Sequence, residues 1–144
     1  MIVKQFTYKG FDGKSYTDEW CFHLSESDVF KINYGSLVGL DAMIKKLIDT
    51  RNGKEIMGLI DEIIMTSVGH RGADGRQFIK NEELRQEFRQ TDAYSQLFME
   101  LAMDGEKASE FLMGVIPQDM AEKARANMAK EQAQDNVPAP EIVK

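Results

Sequence analysis

The chain of 144 residues has one cysteine, Cys21, so no disulfide can close within it. A lone thiol suits a reducing compartment. It has two histidines, His23 and His70. Cys21 and His23 are two apart in an extended run and share a face, as the start of a zinc site would. Zinc needs three or four protein ligands, and only His70 remains to join them. A buried cysteine and an edge histidine explain the pair more simply, so no metal and no cofactor is expected. The N-terminus, MIVKQFTYKG, has no apolar core of a signal peptide. No apolar run approaches the ~20 residues of a membrane helix. The best candidate, from Ile56 to Val68, is broken by Gly58, Asp61 and Glu62. A soluble, cytosolic protein with no membrane contact is the expectation.

Basic stripes are missing too. Net charge is −6 and the pI is about 5.0. Lys45-Lys46 and Arg85/Arg89 are interleaved with carboxylates. Nucleic-acid affinity comes mainly from Lys and Arg neutralising phosphates, so a nucleic-acid partner is not expected. The negative charge is also too small and dispersed for a DNA mimic.

No catalytic arrangement is legible. Asp61-Glu62 and Glu82-Glu83 are paired carboxylates, but neighbours on a helix point ~100° apart and do not converge. Solvated helix faces and complements to the helix dipole account for them. Gly69-x-x-Gly72-x-x-Gly75 resembles a phosphate loop only superficially. It lacks the following Lys-Ser/Thr, and the segment before it reads as helix where a dinucleotide site needs a strand. No serine or threonine has a His-Asp pair to activate it. These absences favour a binding protein over an enzyme.

At 42% hydrophobic, the chain has enough apolar material for one domain without metal or disulfide help. Lys4 to Lys9 and Ser15 to His23 flank Asp12-Gly13, a hairpin signal, with Phe6, Tyr8, Tyr16, Trp20 and Phe22 on the two runs. Ser25-x-x-Asp28 has the form of a helix start. It predicts a short helix from Glu26 to Asn33, ended by Tyr34-Gly35. Leu40, Met43, Ile44, Leu47 and Ile48 form one helical face, stopped by Asn52-Gly53. Ile56, Ile60, Ile63, Ile64 and Val68 form a second, stopped by Gly69. The two are expected to pack as an antiparallel helical hairpin. His70 to Gly75 reads as a loop, and Gln77 to Lys80 as a short third strand beside the hairpin.

Three short amphipathic helices follow between Phe78 and Pro117. Asn81 caps the first, whose opening turn carries Glu82 and Glu83. Thr91 caps the second and Gly105 is expected to end it. The third runs from Glu106 to Ile116 and must stop near Pro117. The fold class expected is α+β, predominantly α. An N-terminal β-hairpin is followed by about six short amphipathic helices in one compact domain, residues 1–117. Residues 118–134 read as a polar helix with Met120, Ala124 and Met128 in its stripe. Residues 135–144, with Pro138 and Pro140, read as a disordered tail.

Nine methionines stand out. Met99, Met103 and Met113 lie on helices that already have a core stripe of Leu97, Phe98, Leu101, Phe111, Leu112 and Val115. As gap-fillers they belong to the core, which is the commoner use. As a surplus they form an adaptable groove for an apolar partner. On the second reading the partner-binding residues are Phe98, Met99, Met103, Phe111 and Met113.

The blocks Asp74-Gly75-Arg76-Gln77-Phe78-Ile79-Lys80, Thr91-Asp92-Ala93-Tyr94-Ser95, Leu97-Phe98-Met99-Glu100-Leu101 and Phe111 to Pro117 resemble the tail assembly chaperones of long-tailed, siphovirus-type bacteriophages. Asp49 to Gly69, with Gly53-Lys54-Glu55-Ile56, and the hairpin closing in Phe22-His23-Leu24 fit the same pattern. The likeness covers roughly residues 5–117 and stops at Gln118. It implies a non-catalytic chaperone that binds the tape-measure protein and recruits tail-tube protein in the host cytoplasm during viral morphogenesis. Such a chaperone is absent from the finished particle, and a longer frameshifted product often accompanies it. Self-association into a homo-oligomer is left open. The rival reading is a structural protein retained in the virion, as a tail or head-tail component.

Overall fold

Alternation places Phe6, Trp20 and Phe22 on one face of two extended runs, and that face organises the molecule. In the computed structural model, which describes residues 1–32, 40–48 and 53–136, β1 (Ile2–Lys9) pairs antiparallel with β2 (Ser15–Phe22) from Ile2↔Phe22 to Lys9↔Ser15. The tip closes where the Gly10 amide donates to the Lys14 carbonyl at 2.8 Å. Gly13 turns the chain at φ 82, a conformation that side chains with a Cβ resist.

Ser25 and Asp28 cap α1 (Glu26–Ile32) reciprocally. The Asp28 amide donates to Ser25 Oγ at 3.1 Å and the Ser25 amide to Asp28 Oδ2 at 2.9 Å. Next come α2 (Leu40–Ile48) and α3 (Gly53–Ser67). The expected stop of α1 at Asn33 to Gly35 and the joint at residues 49–52 lie outside the described residues. The helical hairpin is not an isolated pair, because α2 rests against the later helices α6 and α7 as well as α3.

The sheet corrects the sequence reading at several points, including His70 and Arg71, expected as loop but strand here. Val68 does not finish α3 but opens β3 (Val68–Arg71), which pairs with β2 through Cys21↔Gly69 and Phe22↔Val68. The expected strand near Gln77 exists as β4 (Phe78–Ile79), yet it pairs with β3 and not with the hairpin. The order is therefore β1-β2-β3-β4, antiparallel throughout. Gly69 permits this closeness, since a Cβ there would stand 2.3 Å from the Ile79 carbonyl oxygen. Gly72 and Gly75 belong to the β3–β4 turn, where the Gly72 amide donates to Gln77 O at 2.7 Å.

Asn81 caps α4 (Glu82–Arg89) by accepting from the Leu84 amide at 2.9 Å. Thr91 holds the cap position of α5 (Asp92–Ala102), but its hydroxyl donates back to Phe88 O. Gly105 does not end α5. It begins α6 (Gly105–Val115), capped by Asp104. A glycine is needed because the start of α6 lies on the end of α2, and a Cβ would come within 2.6 Å of Leu47 O. Ile116 leaves the helix extended ahead of Pro117.

Phe88 on α4 anchors the core. Its ring meets the edges or faces of Phe6, Trp20 and Phe22 at 5.2–5.6 Å between centroids, and Phe22 meets Phe111 on α6 at 5.4 Å. A ring so enclosed contributes about 1.5–3 kcal/mol by burial and more by its geometry. The last helix, α7 (Gln118–Asn136), buries Ala121 and Ala124 on the same core, with Met120 partly buried beside them. The side chain of Met128 and residues 137–144 of the expected tail lie outside what is described. The architecture is α+β and mostly α, with a β-hairpin followed by seven helices among the described residues.

Candidate partner-binding surface

The residues that chemistry would use are engaged in holding the fold. Arg89 Nη2 donates to both carboxylate oxygens of Asp61 at 3.0 and 3.1 Å, and the Tyr94 hydroxyl donates to the same group. Asp61 therefore ties α3 to α4 and α5 instead of simply facing water. Burial, joined by the bond to Asp61, pushes the Tyr94 hydroxyl up to about 12, so it stays a neutral donor. Glu62 points to solvent. Glu82 accepts from Gln86 Nε2 at 3.0 Å within α4.

The three soft ligands do not converge. Cys21 is buried opposite Gly69, with His23 following on the same face of the sheet. His70 lies on the other face, stacked flat on Trp20 at 4.5 Å. Among the described residues no three His, Cys, Asp or Glu side chains form a group that could hold a metal. Burial, with nearby cationic groups, lowers the His23 imidazole below its usual value.

The apolar candidates divide. Met99 and Met103 lie one turn apart on the outer side of α5 and are 51% and 77% exposed. Phe98 is half-buried and stacks on Tyr94 at 5.8 Å. Phe111 is buried against Phe22, and Met113 is 9% exposed, packed within the core cluster. The stripe that Met113 was expected to widen toward solvent instead closes inward on α6. Only Met99 and Met103 remain as open apolar groups of the five.

Sequence reasoning missed Ile48. It reads as part of the α2 core face, yet it is 44% exposed at the end of that helix. Its Cα lies 3.2 Å from the point a Cβ on Gly105 would occupy, two residues beyond Met103. The signal that could have found it is its place in the last turn of α2, where a helix side chain can outrun its partner. An aromatic ring, Phe11, stands 97% exposed at the hairpin tip beside a shallow cavity of about 210 Å³ walled by Tyr8, Tyr16 and Thr91.

Such a surface, with apolar side chains held out on rigid helices and no convergent reactive groups among the described residues, suits protein binding. The profile of the family described as phage tail assembly chaperone matches residues 1–143. No curated protein and no solved structure matches the chain. The chain belongs to the phage tail assembly chaperone family.

Proposed function

We propose that this protein is a non-catalytic chaperone that binds the tape-measure protein and tail-tube subunits in the host cytoplasm while the tail is built. The observation that carries the reading is the pair Met99 and Met103, exposed one turn apart on α5. Flexible thioether side chains repack around varied apolar partners, which suits a long helical client. The net charge of −6 keeps a protein with such a surface dispersed. No helix among the described residues is long and apolar enough to cross a membrane. The working unit in this reading is residues 1–117, extended by the opening turns of α7 that bury Ala121 and Ala124.

The test is co-expression with a tape-measure protein from the same genome. Met99→Gln combined with Met103→Gln should reduce co-purification while leaving the melting temperature of the isolated protein unchanged. Full retention of the client by a folded double variant would remove α5 from the binding surface.

A further inference from the structure

The tip of the hairpin sets a knob beside a hole. Phe11 is the most exposed large apolar side chain among the described residues. Its turn is closed by hydrogen bonds: the Gly13 amide donates to Gly10 O at 3.0 Å, and the Lys14 amide donates to Asp12 Oδ1 at 3.0 Å. Phe11 is therefore held out in a fixed place. Beside it lies the cavity of about 210 Å³, between the tip and the α4–α5 joint at Gln90 to Asp92. The rings that line it are fixed as well. Tyr8 and Tyr16 stack at 6.2 Å between centroids, and their hydroxyls donate to Asp18 and Asp12. Tyr16 lies over Gly10, where a Cβ would stand 2.6 Å from the ring.

Size and lining decide what the cavity takes. Small-molecule sites run to ~300–1,000 Å³, so this one suits a single side chain. Both tyrosine hydroxyls are already engaged, which leaves ring faces and edges for an occupant. An aromatic ring satisfies that surface, and this chain presents one at the cavity's rim. We propose that two copies pair tip to tip about a two-fold axis, each setting Phe11 into the other's cavity. An isologous interface needs one patch that complements itself, and a knob beside its own hole is such a patch. The flanking charges agree. Lys9 and Asp92 are exposed on opposite walls of the cavity, and neither has an ion-pair partner among the described residues. The two-fold turn brings Lys9 of each copy toward Asp92 of the other. Two rings bury about 300–500 Å², and the walls they cover a similar area. The total stays below the ~1,200 Å² of a stable interface, so the pairing is weak. It leaves Met99 and Met103 open on both copies, because α5 carries them about 10–16 Å along its axis from Asp92. A client that engages both surfaces gains the avidity of two. That consequence alone rests on the proposed client-binding role of α5; the pairing does not.

Sedimentation equilibrium of the full chain without client, from micromolar to millimolar concentration, should show monomer passing to dimer and no further. Phe11→Ala should weaken the dimer at least ~10-fold while leaving the melting temperature unchanged. Lys9→Glu and Asp92→Lys should each weaken it too, and the double reversal should recover it, which a folding defect would not do. A chain that stays monomeric at millimolar concentration overturns the proposal. So does a dimer indifferent to Phe11→Ala, or one that the double reversal fails to recover. Growth beyond the dimer overturns it in favour of an open, head-to-tail contact. A monomeric chain whose Phe11→Ala variant loses the tape-measure protein overturns it in favour of a client side chain in the cavity. A monomeric chain that needs only Met99 and Met103 to retain its client overturns the pairing and leaves the α5 surface standing.

Discussion

Lys80 donates from its ammonium group to the Asp28 carboxylate and to the His23 carbonyl at 3.3 Å, joining the end of β4 to the first turn of α1. The two side chains are only 16% and 18% exposed. Burial by itself would raise the Asp28 carboxyl. The hydrogen bonds from Lys80 and from the Ser25 amide outweigh it and hold the group below the usual carboxylate range.

A group depressed in the folded state contributes stability above its unfolded value, and that contribution is lost as pH falls through the folded one. His23, lowered chiefly by burial, starts the loss as pH drops below about 6.5, and Asp28 continues it below about 3.9. Urea melts across pH should show both steps. Asp28→Asn should remove the lower one and cost about 1–3 kcal/mol at neutral pH, because it weakens a buried charge-assisted bond. An unaltered acid limb in the variant would mean that Asp28 does not carry the effect.

Met113 and Met103 should respond oppositely to the same change. Met113→Gln places an amide in the core and should destabilise by about 2–4 kcal/mol, within the range of other large losses at buried methionines. Met103→Gln changes an exposed side chain and should stay within about 0.5 kcal/mol. Equilibrium unfolding of the two single variants compares them directly. Equal effects would show that Met113 is not packed as described.

Two glycines make a similar contrast. Nothing lies within 4 Å of a Cβ built on Gly58, in the middle of α3. Gly58→Ala should therefore stabilise by about 0.5–1 kcal/mol through helix propensity. At Gly105 the Cβ meets Leu47 O at 2.6 Å, and Gly105→Ala should destabilise by about 1–3 kcal/mol by forcing α6 off α2. Differential scanning calorimetry should move the two melting temperatures in opposite directions.

Local rules carried much of the architecture. Asp12-Gly13 between aromatic runs specified the hairpin, and Ser25-x-x-Asp28 and Asn81 specified caps that form as expected. The stripe Leu97, Leu101, Leu112, Val115 marked the core faces of α5 and α6 correctly. These features depend on residues a few positions apart, so the chain displays them directly. The candidate site was only partly legible. Met99, Met103 and Met113 look alike in a helical pattern, and burial separates them only when α6 packs on α2 and the sheet.

The sequence by itself determined which segments coil, where most helices start and which stripes seek cover, because capping and periodicity act within a turn or two of the chain. The tertiary structure alone decided the rest. Val68 continues the helical spacing of Ile60 and Ile64, yet pairing with Phe22 draws it into β3. Gly105 looks like a helix stop, yet the approach of Leu47 makes it a helix start. Met103 stays open while Met113 closes. Each outcome turns on a neighbour dozens of residues away, and a contact of that separation leaves no periodic trace in the chain.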